Sequence, residues 1–261
     1  MSSDRKHIIL ELDNVGFRYD RHKPFVRKLS LSVHDGEFIG LLGANGSGKS
    51  TILKLASGII KPSEGSIRLW DKDLQWYKNK DRAKLLCYLP QLLDIGIPFK
   101  VKELVAMGLY PYDILPEMTV EEALDIVGLK EKADTYITNL SGGEKRRAFI
   151  AMTLLQGAGL LLLDEPLANL DIKYQLEILR LLRELKEKKN ISIIMALHDI
   201  NIALQFEKVV LIKEGTILGF GKPEEVLTGD LLKVLKEAFD VNIRIKKQES
   251  GEAYISYGID M

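Results

Sequence analysis

An unbroken match to the phosphate-binding pattern G-x-x-x-x-G-K-[ST] occupies residues 43–50. Glycine lets the backbone curl around a phosphate chain without Cβ clashes, so that several N–H groups can point inward. Lys49 would reach the outer phosphates, and the Ser50 hydroxyl would bind Mg²⁺. The alternative is a glycine-rich turn with a nearby lysine. The residues expected to hold the phosphates and their nucleotide are Gly43, Asn45, Gly46, Ser47, Gly48, Lys49, Ser50 and Thr51.

Two acidic residues follow a run of four leucines at positions 160–163. Asp164, at the end of a predicted buried strand, can hold Mg²⁺ directly or through water. Glu165 can polarise an attacking water, either as a general base or by orienting it. Strand ends often carry acids simply as turn formers, so the pair alone leaves the matter open. Together with the phosphate loop it favours hydrolysis of a phosphate bond.

A third cluster, at residues 140–144, has the pattern of a helix start. Ser141 can cap the helix, and Glu144 three residues later completes a capping box. Gly142 and Gly143 are poor helix formers, however, and a plain helix start does not need both. Two glycines at a helix N-terminus expose backbone N–H groups to an anion. The cluster therefore predicts a cap and, in addition, backbone N–H groups that are open to an anion.

The predicted elements place these residues at the ends of strands. A buried strand at 38–42 precedes the phosphate loop and a helix follows it at 51–56, the context that the motif requires. Between 92 and 157 helical spacing replaces strand signals, which predicts a helical insertion in the core. Further strands are predicted at 8–12, 29–33, 66–70, 86–89, 160–163, 191–195, 209–212, 216–219, 241–245 and 253–257, and helices at 172–188 and 231–238.

Alternation of apolar strands with helices, together with the phosphate-loop motif, predicts an α/β fold of the P-loop NTPase type. We expect a mixed, mainly parallel core sheet covered on both faces, an antiparallel side sheet and the inserted helical subdomain. The phosphate loop follows the C-terminal end of its strand, where such sheets bind ligands. The 261 residues are enough for one large domain with an insertion.

Composition excludes several classes of function. Lys and Arg number 37, as do Asp and Glu, and without a basic excess nucleic acid is not an expected partner. Cys87 is the only cysteine, so no disulfide forms within the chain, which suits a reducing cytosol. Residues 1–6 lack the apolar core of a signal peptide, and no segment is a convincing membrane span.

Residues 43–50, 140–144 and 163–166, in this order, resemble the ATPase subunit of an ABC transporter. The resemblance covers nearly the whole chain, and the Leu-Ser-Gly-Gly signature at 140–143 is highly specific to that family. It implies one ABC ATPase domain over residues 1–261, with a helical subdomain at about 92–157. It also implies two copies facing head to tail. Each ATP would then lie between one phosphate loop and Ser141, Gly142 and Gly143 of the other copy.

Four more positions match the family pattern. Tyr19 fits the aromatic residue that stacks on adenine, although a surface tyrosine on a strand is the alternative. Gln91 fits the glutamine that contacts Mg²⁺ and the attacking water and links the site to the membrane partner. His198 fits the histidine that hydrogen-bonds the γ-phosphate, and Asp171 fits the loop that communicates between subunits. Residues 167–168 depart from the Thr and Ser that are frequent there.

Residues 107–112 resemble a segment, Met-Gly-Arg-x-Pro-Tyr, of importers of siderophores, haem and cobalamin, with Leu109 in place of the arginine. Segments 197–203, 221–228 and 239–241 continue this likeness. The resemblance implies import of a metal chelate through a polytopic permease at the cytoplasmic face of the membrane. A substrate-binding protein would be an indirect partner.

The other functions considered are an exporter or a vitamin or metal-ion uptake system, a soluble ABC ATPase of DNA repair or translation, and a regulator that does not hydrolyse ATP. The single cassette without heptads disfavours the soluble ATPase. Glu165 disfavours the regulator.

Overall fold

The structure, a computed structural model, describes residues 7–20, 24–91, 96–226, 242–247 and 253–258, the last two ranges as backbone only. The chain divides into two compact units. The first unit comprises Met1–Asp73 and Ile194–Met261, and the second comprises Leu74–Ile193. The helix predicted at 231–238 and the segment 239–241 lie outside the described residues.

The first unit begins with an antiparallel sheet of β1 (Ile8–Arg18), β2 (Pro24–His34), β4 (Glu64–Leu69) and β5 (Lys72–Asp73). Leu12 of the central strand pairs with Leu31 on one side and Ile67 on the other, and all three side chains are buried. This sheet confirms the predicted antiparallel side sheet. Its strands lie in the order β2-β1-β4-β5.

The phosphate loop belongs to a second set of strands in the first unit. Strand β3 (Phe38–Leu42) is buried at all five positions and lies parallel to β9 (Lys208–Lys213), with Leu41 opposite Val210. A tight turn joins β9 to its antiparallel neighbour β10 (Thr216–Gly221). Helix α1 (Lys49–Ala56) follows the loop. The remaining elements are α7 (Ile200–Ala203), α8 (Pro223–Val226) and the antiparallel pair β11 (Asn242–Lys247) and β12 (Ala253–Gly258).

The second unit contains the parallel pair β6 (Leu86–Leu89) and β7 (Leu160–Leu163), in which Leu89 lies opposite Leu163. Between them the described regular elements are α-helical or 3-10, apart from one bridge between Lys100 and Tyr136. The exact limits of the helical subdomain stay a prediction. The unit's helices are α2 (Asn79–Leu85), α3 (Val101–Ala106), α4 (Val120–Ile126), α5 (Gly142–Leu155) and α6 (Ile172–Lys189); β8 (Ser192–Leu197) crosses the boundary between the units.

The segment 107–112 is fixed against α5. A Cβ atom at Gly108 would overlap the carbonyl oxygen of Met152, so only glycine allows this close approach. The Tyr112 hydroxyl donates a hydrogen bond of 2.9 Å to the carbonyl of Gln156. The glycine and the tyrosine of this motif therefore have packing roles within the second unit.

Cys87 lies in β6 and is buried, and burial raises the pKa of its thiol to about 12. It therefore stays protonated at neutral pH. None of the helices among the described residues is both long enough and apolar enough to cross a membrane.

Candidate functional site

In the phosphate loop between β3 and α1, some glycines are required by backbone conformation and another by close packing. Gly46 and Gly48 have φ angles of 76° and 110°, a region that favours glycine. A Cβ atom at Gly43 would lie 2.5 Å from the carbonyl oxygen of Ile212 and 2.6 Å from Oγ of Ser47. Gly48 is the N-cap of α1, where no side chain caps the helix. The first amides of α1 can therefore bind an anion.

Lys49 and Ser47 fit a phosphate chain at this loop. Lys49 is only 4 % exposed, and its ammonium donates hydrogen bonds to the carbonyls of Gly43 (2.8 Å) and Ala44 (3.1 Å). Oγ of Ser47 is buried and has no hydrogen-bond partner within the described part of the chain. A buried hydroxyl without a partner is costly, and a phosphate oxygen would satisfy it.

A turn distant in sequence supports the loop. The amide of Gly215, between β9 and β10, donates to the carbonyl of Ser47 at 2.8 Å. The carbonyl of Gly215 accepts from the amide of Arg27 at 3.1 Å. Gly215 has a φ of 73°, and a Cβ atom there would overlap the carbonyl oxygen of Phe25. The sequence predicted this hairpin but carried no signal that it contacts the phosphate loop.

Tyr19 is 63 % exposed, yet its hydroxyl lies 2.8 Å from Oγ1 of Thr51 at the start of α1. Its ring meets Phe17 and Phe25 edge to face, with centroids 4.8 and 5.1 Å apart. A cavity of about 480 Å³ lies beside it, lined by Arg18, Tyr19, Asp20, Ser63 and Glu64. The exposed ring next to a concavity is compatible with the predicted stacking on adenine.

The acidic pair of the second unit begins at the end of β7. Asp164 is 3 % exposed and accepts a hydrogen bond of 3.0 Å from the Tyr88 hydroxyl. Glu165 has a φ of 46°, which is strained for a residue with a side chain. Its Oε2 accepts a hydrogen bond of 2.9 Å from Nε2 of Gln91. The structure thus brings together Gln91 and Glu165, two of the predicted catalytic residues.

The predicted Mg²⁺ ligands Ser50, Gln91 and Asp164 supply a hydroxyl, an amide and a carboxylate. Oxygen donors of this kind suit Mg²⁺, which usually keeps several waters and binds one or two carboxylates plus phosphates. Among the described residues no group of three or more His, Cys, Asp or Glu side chains could hold a metal by itself. The donor set therefore fits Mg²⁺ bound together with phosphates.

Arg146, which the sequence did not single out, lies beside Gln91 in the second unit. Its side chain in α5 is 7 % exposed, and burial lowers its pKa from the ordinary value. An arginine remains charged nevertheless. Its guanidinium donates hydrogen bonds to the carbonyls of Pro90 and Gln91. The helix that starts at the glycine signature is thus bonded to the backbone that carries Gln91.

The capping box predicted at the signature is confirmed. The Ser141 amide and hydroxyl both donate to Oε2 of Glu144 at 3.0 Å, and the Glu144 amide donates to Oγ of Ser141 at 3.3 Å. Lys132 pairs with the same carboxylate. The Lys132 ammonium, followed by the Ser141 amide, lowers the pKa of Glu144 to about 2. The start of α5 is therefore rigidly held.

The signature glycines also have a packing role. A Cβ atom at Gly143 would lie 3.2 Å from the Tyr174 ring, and one at Gly142 would lie 3.4 Å from Cδ2 of Leu170. These contacts with the start of α6 are tight for Gly143 and ordinary for Gly142. Packing against Tyr174 therefore gives a reason for glycine at position 143 that does not depend on the predicted phosphate contact, a point that the sequence could not reveal.

The other predicted residues are exposed. Asp171 is the N-cap of α6, and His198 follows β8. The phosphate loop, Tyr19 and His198 belong to the first unit, whereas Gln91, the signature, Asp164, Glu165 and Asp171 belong to the second. The individual roles assigned to these residues stay predictions.

Comparisons with known proteins identify the family. A family model described as ABC transporter matches residues 26–168. The chain belongs to the ABC transporter family. It is 40 % identical over 216 residues to a petrobactin import ATP-binding protein of Bacillus anthracis, covering 80 % of this chain and 79 % of that protein. It is 36 % identical over 242 residues to a hemin import ATP-binding protein of Rhodopseudomonas palustris, covering 88 % and 90 %.

Among solved structures, the ATP-binding cassette MJ0796, in a dimeric post-hydrolysis state bound to ADP and Pi, superposes with a TM-score of 0.73 at 25 % identity. The match covers 83 % of this chain and 99 % of that one. This member of the ABC transporter family is an ATP-binding subunit of the importer type and an ATPase. The predicted α/β fold of the P-loop type is confirmed.

Proposed function

We propose that this ABC ATPase drives uptake of a metal chelate, of the iron-siderophore, haem or cobalamin type, through a separate polytopic permease. The import functions in the names of its relatives support this cargo class, as does the segment 107–112. The chain would lie at the cytoplasmic face of the membrane, bound to the permease. A substrate-binding protein would deliver the cargo.

The observation that carries the proposal is the presence of a phosphate loop and a glycine signature in one chain. Two copies arranged head to tail would complete each other's sites. Ser141, Gly142 and Gly143 of one copy would then face the ATP held by Lys49 of its partner. The dimeric state of the similar cassette MJ0796 is compatible with this arrangement.

Different residues of the chain would bind the phosphates, the adenine and the Mg²⁺ of each ATP. The amides of the phosphate loop and Lys49 bind and orient the phosphates, while the ring of Tyr19 stacks on adenine. Ser50, Gln91 and Asp164 would hold Mg²⁺, which offsets phosphate charge when it is bound. His198 would hydrogen-bond the γ-phosphate, and Asp171 would connect the two copies.

Glu165 is proposed to orient the attacking water. In the structure its Oε2 accepts from the Gln91 amide, which orients the carboxylate and leaves further lone pairs that could accept a proton from water. Loss of the γ-phosphate then removes the group that bridges the copies, and the dimer reopens. The surface beside Gln91 would transmit this change to a short helix of the permease.

Replacement of Glu165 by Gln tests the head-to-tail arrangement. We expect Glu165→Gln to lose at least about a hundredfold in turnover, because general-base catalysis contributes that much. ATP binding should survive, so that the variant accumulates as a dimer with Mg-ATP in gel filtration. Glu187→Gln, at an exposed position of α6, is the matched control and should remain active and not be trapped. A Glu165→Gln variant that stays monomeric with Mg-ATP would contradict the proposal.

The cargo requires a separate measurement. Uptake of iron chelates, haem, cobalamin and molybdate would be compared in a complex reconstituted in membranes. Transport of one of the first three supports metal-chelate import. Outward transport, or uptake of a free ion or other vitamin alone, would favour the alternative of an exporter or a different uptake system.

A further inference from the structure

Arg146 joins a buried guanidinium to the main chain. Its Nη1 and Nη2 atoms each lie 3.2 Å from the carbonyl oxygen of Gln91, and Nη1 lies 3.4 Å from that of Pro90. Transfer of a cation out of water is costly unless it finds acceptors. The planar guanidinium of an arginine suits two acceptors better than a lysine ammonium does. These bonds therefore fix the backbone just beyond the end of β6.

The side chain of Gln91 makes the next contact. Arg146 holds the backbone of Gln91, and Nε2 of the Gln91 side chain donates a hydrogen bond of 2.9 Å to Oε2 of Glu165. The neighbouring strands provide the frame, because the amide of Asp164 donates to the carbonyl of Leu89 at 2.9 Å. Gln91 is itself exposed, so packing does little to hold its side chain. Its backbone position consequently determines whether it reaches Glu165.

We propose that Arg146 is a positioning residue that holds Gln91 in register with Glu165. The inference rests on the proposed function. In a head-to-tail pair the helix carrying Arg146 begins at the signature that faces the partner's ATP, whereas Gln91 and Glu165 serve the chain's own ATP. Arg146 thus connects the two ATP sites through one chain, and its effect on hydrolysis passes through the side chain of Gln91.

A double-mutant cycle on the full-length chain tests this connection. Arg146→Met should lower kcat about tenfold, the effect of one lost charge-assisted hydrogen bond, and leave KM for ATP within about twofold. Arg146→Lys, which keeps a cationic donor, should recover part of kcat. In the Gln91→Ala background Arg146→Met should cause no further loss, since the residue through which it acts is gone. Arg180→Met, at an exposed position of α6, is the matched control.

Hydrogen exchange measures the contact without reference to turnover. The amides of residues 86–89 and of Gln91 should exchange about tenfold faster in Arg146→Met, while those of Lys49–Ala56 should be unchanged. Losses of kcat that multiply in the double variant, a rise of KM alone, or unaltered exchange at 86–89 and Gln91 would each overturn the inference. If Arg146→Met does not fold, the same cycle with Arg146→Lys decides the question.

The outcomes also separate the two proposals. A wild-type chain that hydrolyses ATP but never dimerises would remove the proposed head-to-tail function. The exchange and cycle data would still report whether Arg146 acts through Gln91 in the same chain. Conversely, a normal ATP-dependent dimer with a purely multiplicative cycle would leave the proposed function standing and refute the role of Arg146.

Discussion

Lys49 illustrates how one side chain is prepared for a ligand. Its ammonium donates to the carbonyls of Gly43 and Ala44 and so is already drawn over the phosphate loop. Phosphate oxygens would offer charge-assisted hydrogen bonds, which are about twice as strong as neutral ones. Binding of ATP would therefore exchange these carbonyl partners of the lysine for phosphate oxygens.

Removal of this ammonium should weaken ATP binding itself. We expect Lys49→Ala to raise the dissociation constant for ATP at least about tenfold, the loss expected for one hydrogen bond to a charged group. Titration calorimetry of the purified chain would measure it. Lys54→Ala, on the same helix but in its last turn, is the control. An unchanged dissociation constant in Lys49→Ala would refute the assigned role.

The types of the site residues could be predicted from sequence, but not all their partners. The capping box of Ser141 and Glu144 is local and therefore followed from a spacing of three residues. The bonds of Arg146 to Gln91 and of Tyr19 to Thr51 join residues 55 and 32 positions apart. Such contacts depend on how the strands are arranged, which no local pattern records.

At the scale of elements, the turn between β9 and β10 acts as a support for the phosphate loop. Gly215 donates to the Ser47 carbonyl and accepts from the Arg27 amide, so it joins three segments of the first unit. Neither bond involves a side chain. The shape of the loop therefore depends on a residue that is not expected to touch the nucleotide.

Gly215→Ala should disturb both stability and ATP binding. A Cβ atom would overlap the Phe25 carbonyl and would occupy a left-handed conformation, so we expect a loss of at least about 2 kcal/mol in the free energy of unfolding. Affinity for ATP should fall as well, because the loop loses its support. Gly96→Ala, whose added Cβ atom would meet none of the described atoms within 4 Å, is the control for both urea unfolding and nucleotide titration. Equal stability of the two variants would contradict this account.

The accuracy of the element predictions followed apolar patterning. Strands β6 and β7 were predicted with their observed limits, since each is a short apolar run. Helix α2 was missed because it buries none of its residues and so has no apolar periodicity. Strand β1 extends to Arg18, well beyond the predicted 8–12, because the polar pair Asp13 and Asn14 interrupts the pattern without ending the strand.

At the scale of the whole molecule, the acidic and basic residues balance, and the formal net charge is zero. Lys and Arg equal Asp and Glu at 37 each. Local arrangements then decide how folding responds to pH. Glu144 is the clearest example, because Lys132 and the Ser141 amide hold its carboxylate and lower its pKa from 4.5 to about 2.

The contribution of Glu144 to stability should therefore be lost in acid. In the unfolded chain it protonates near 4.5, whereas in the folded chain it stays charged down to about 2. Its contribution is present in full above pH 4.5 and disappears as pH falls towards 2. Glu144→Gln should lower the free energy of unfolding at pH 7 and weaken its acid dependence between those values, as measured by urea unfolding.

The control is Glu131→Gln, an exposed carboxylate beside Lys132. It should leave the pH profile close to that of the wild type. Parallel profiles for wild type and Glu144→Gln would mean that the capping carboxylate has no part in acid sensitivity.

The burial of Cys87 in β6 has a practical consequence for spectroscopy. Thiol reagents attack the thiolate, and a protonated, inaccessible sulfur is inert to them. We therefore expect maleimide dyes and thiol-reactive spin labels to leave the native chain unlabelled. A single cysteine introduced on each copy could report distances during the ATP cycle without first removing the natural one.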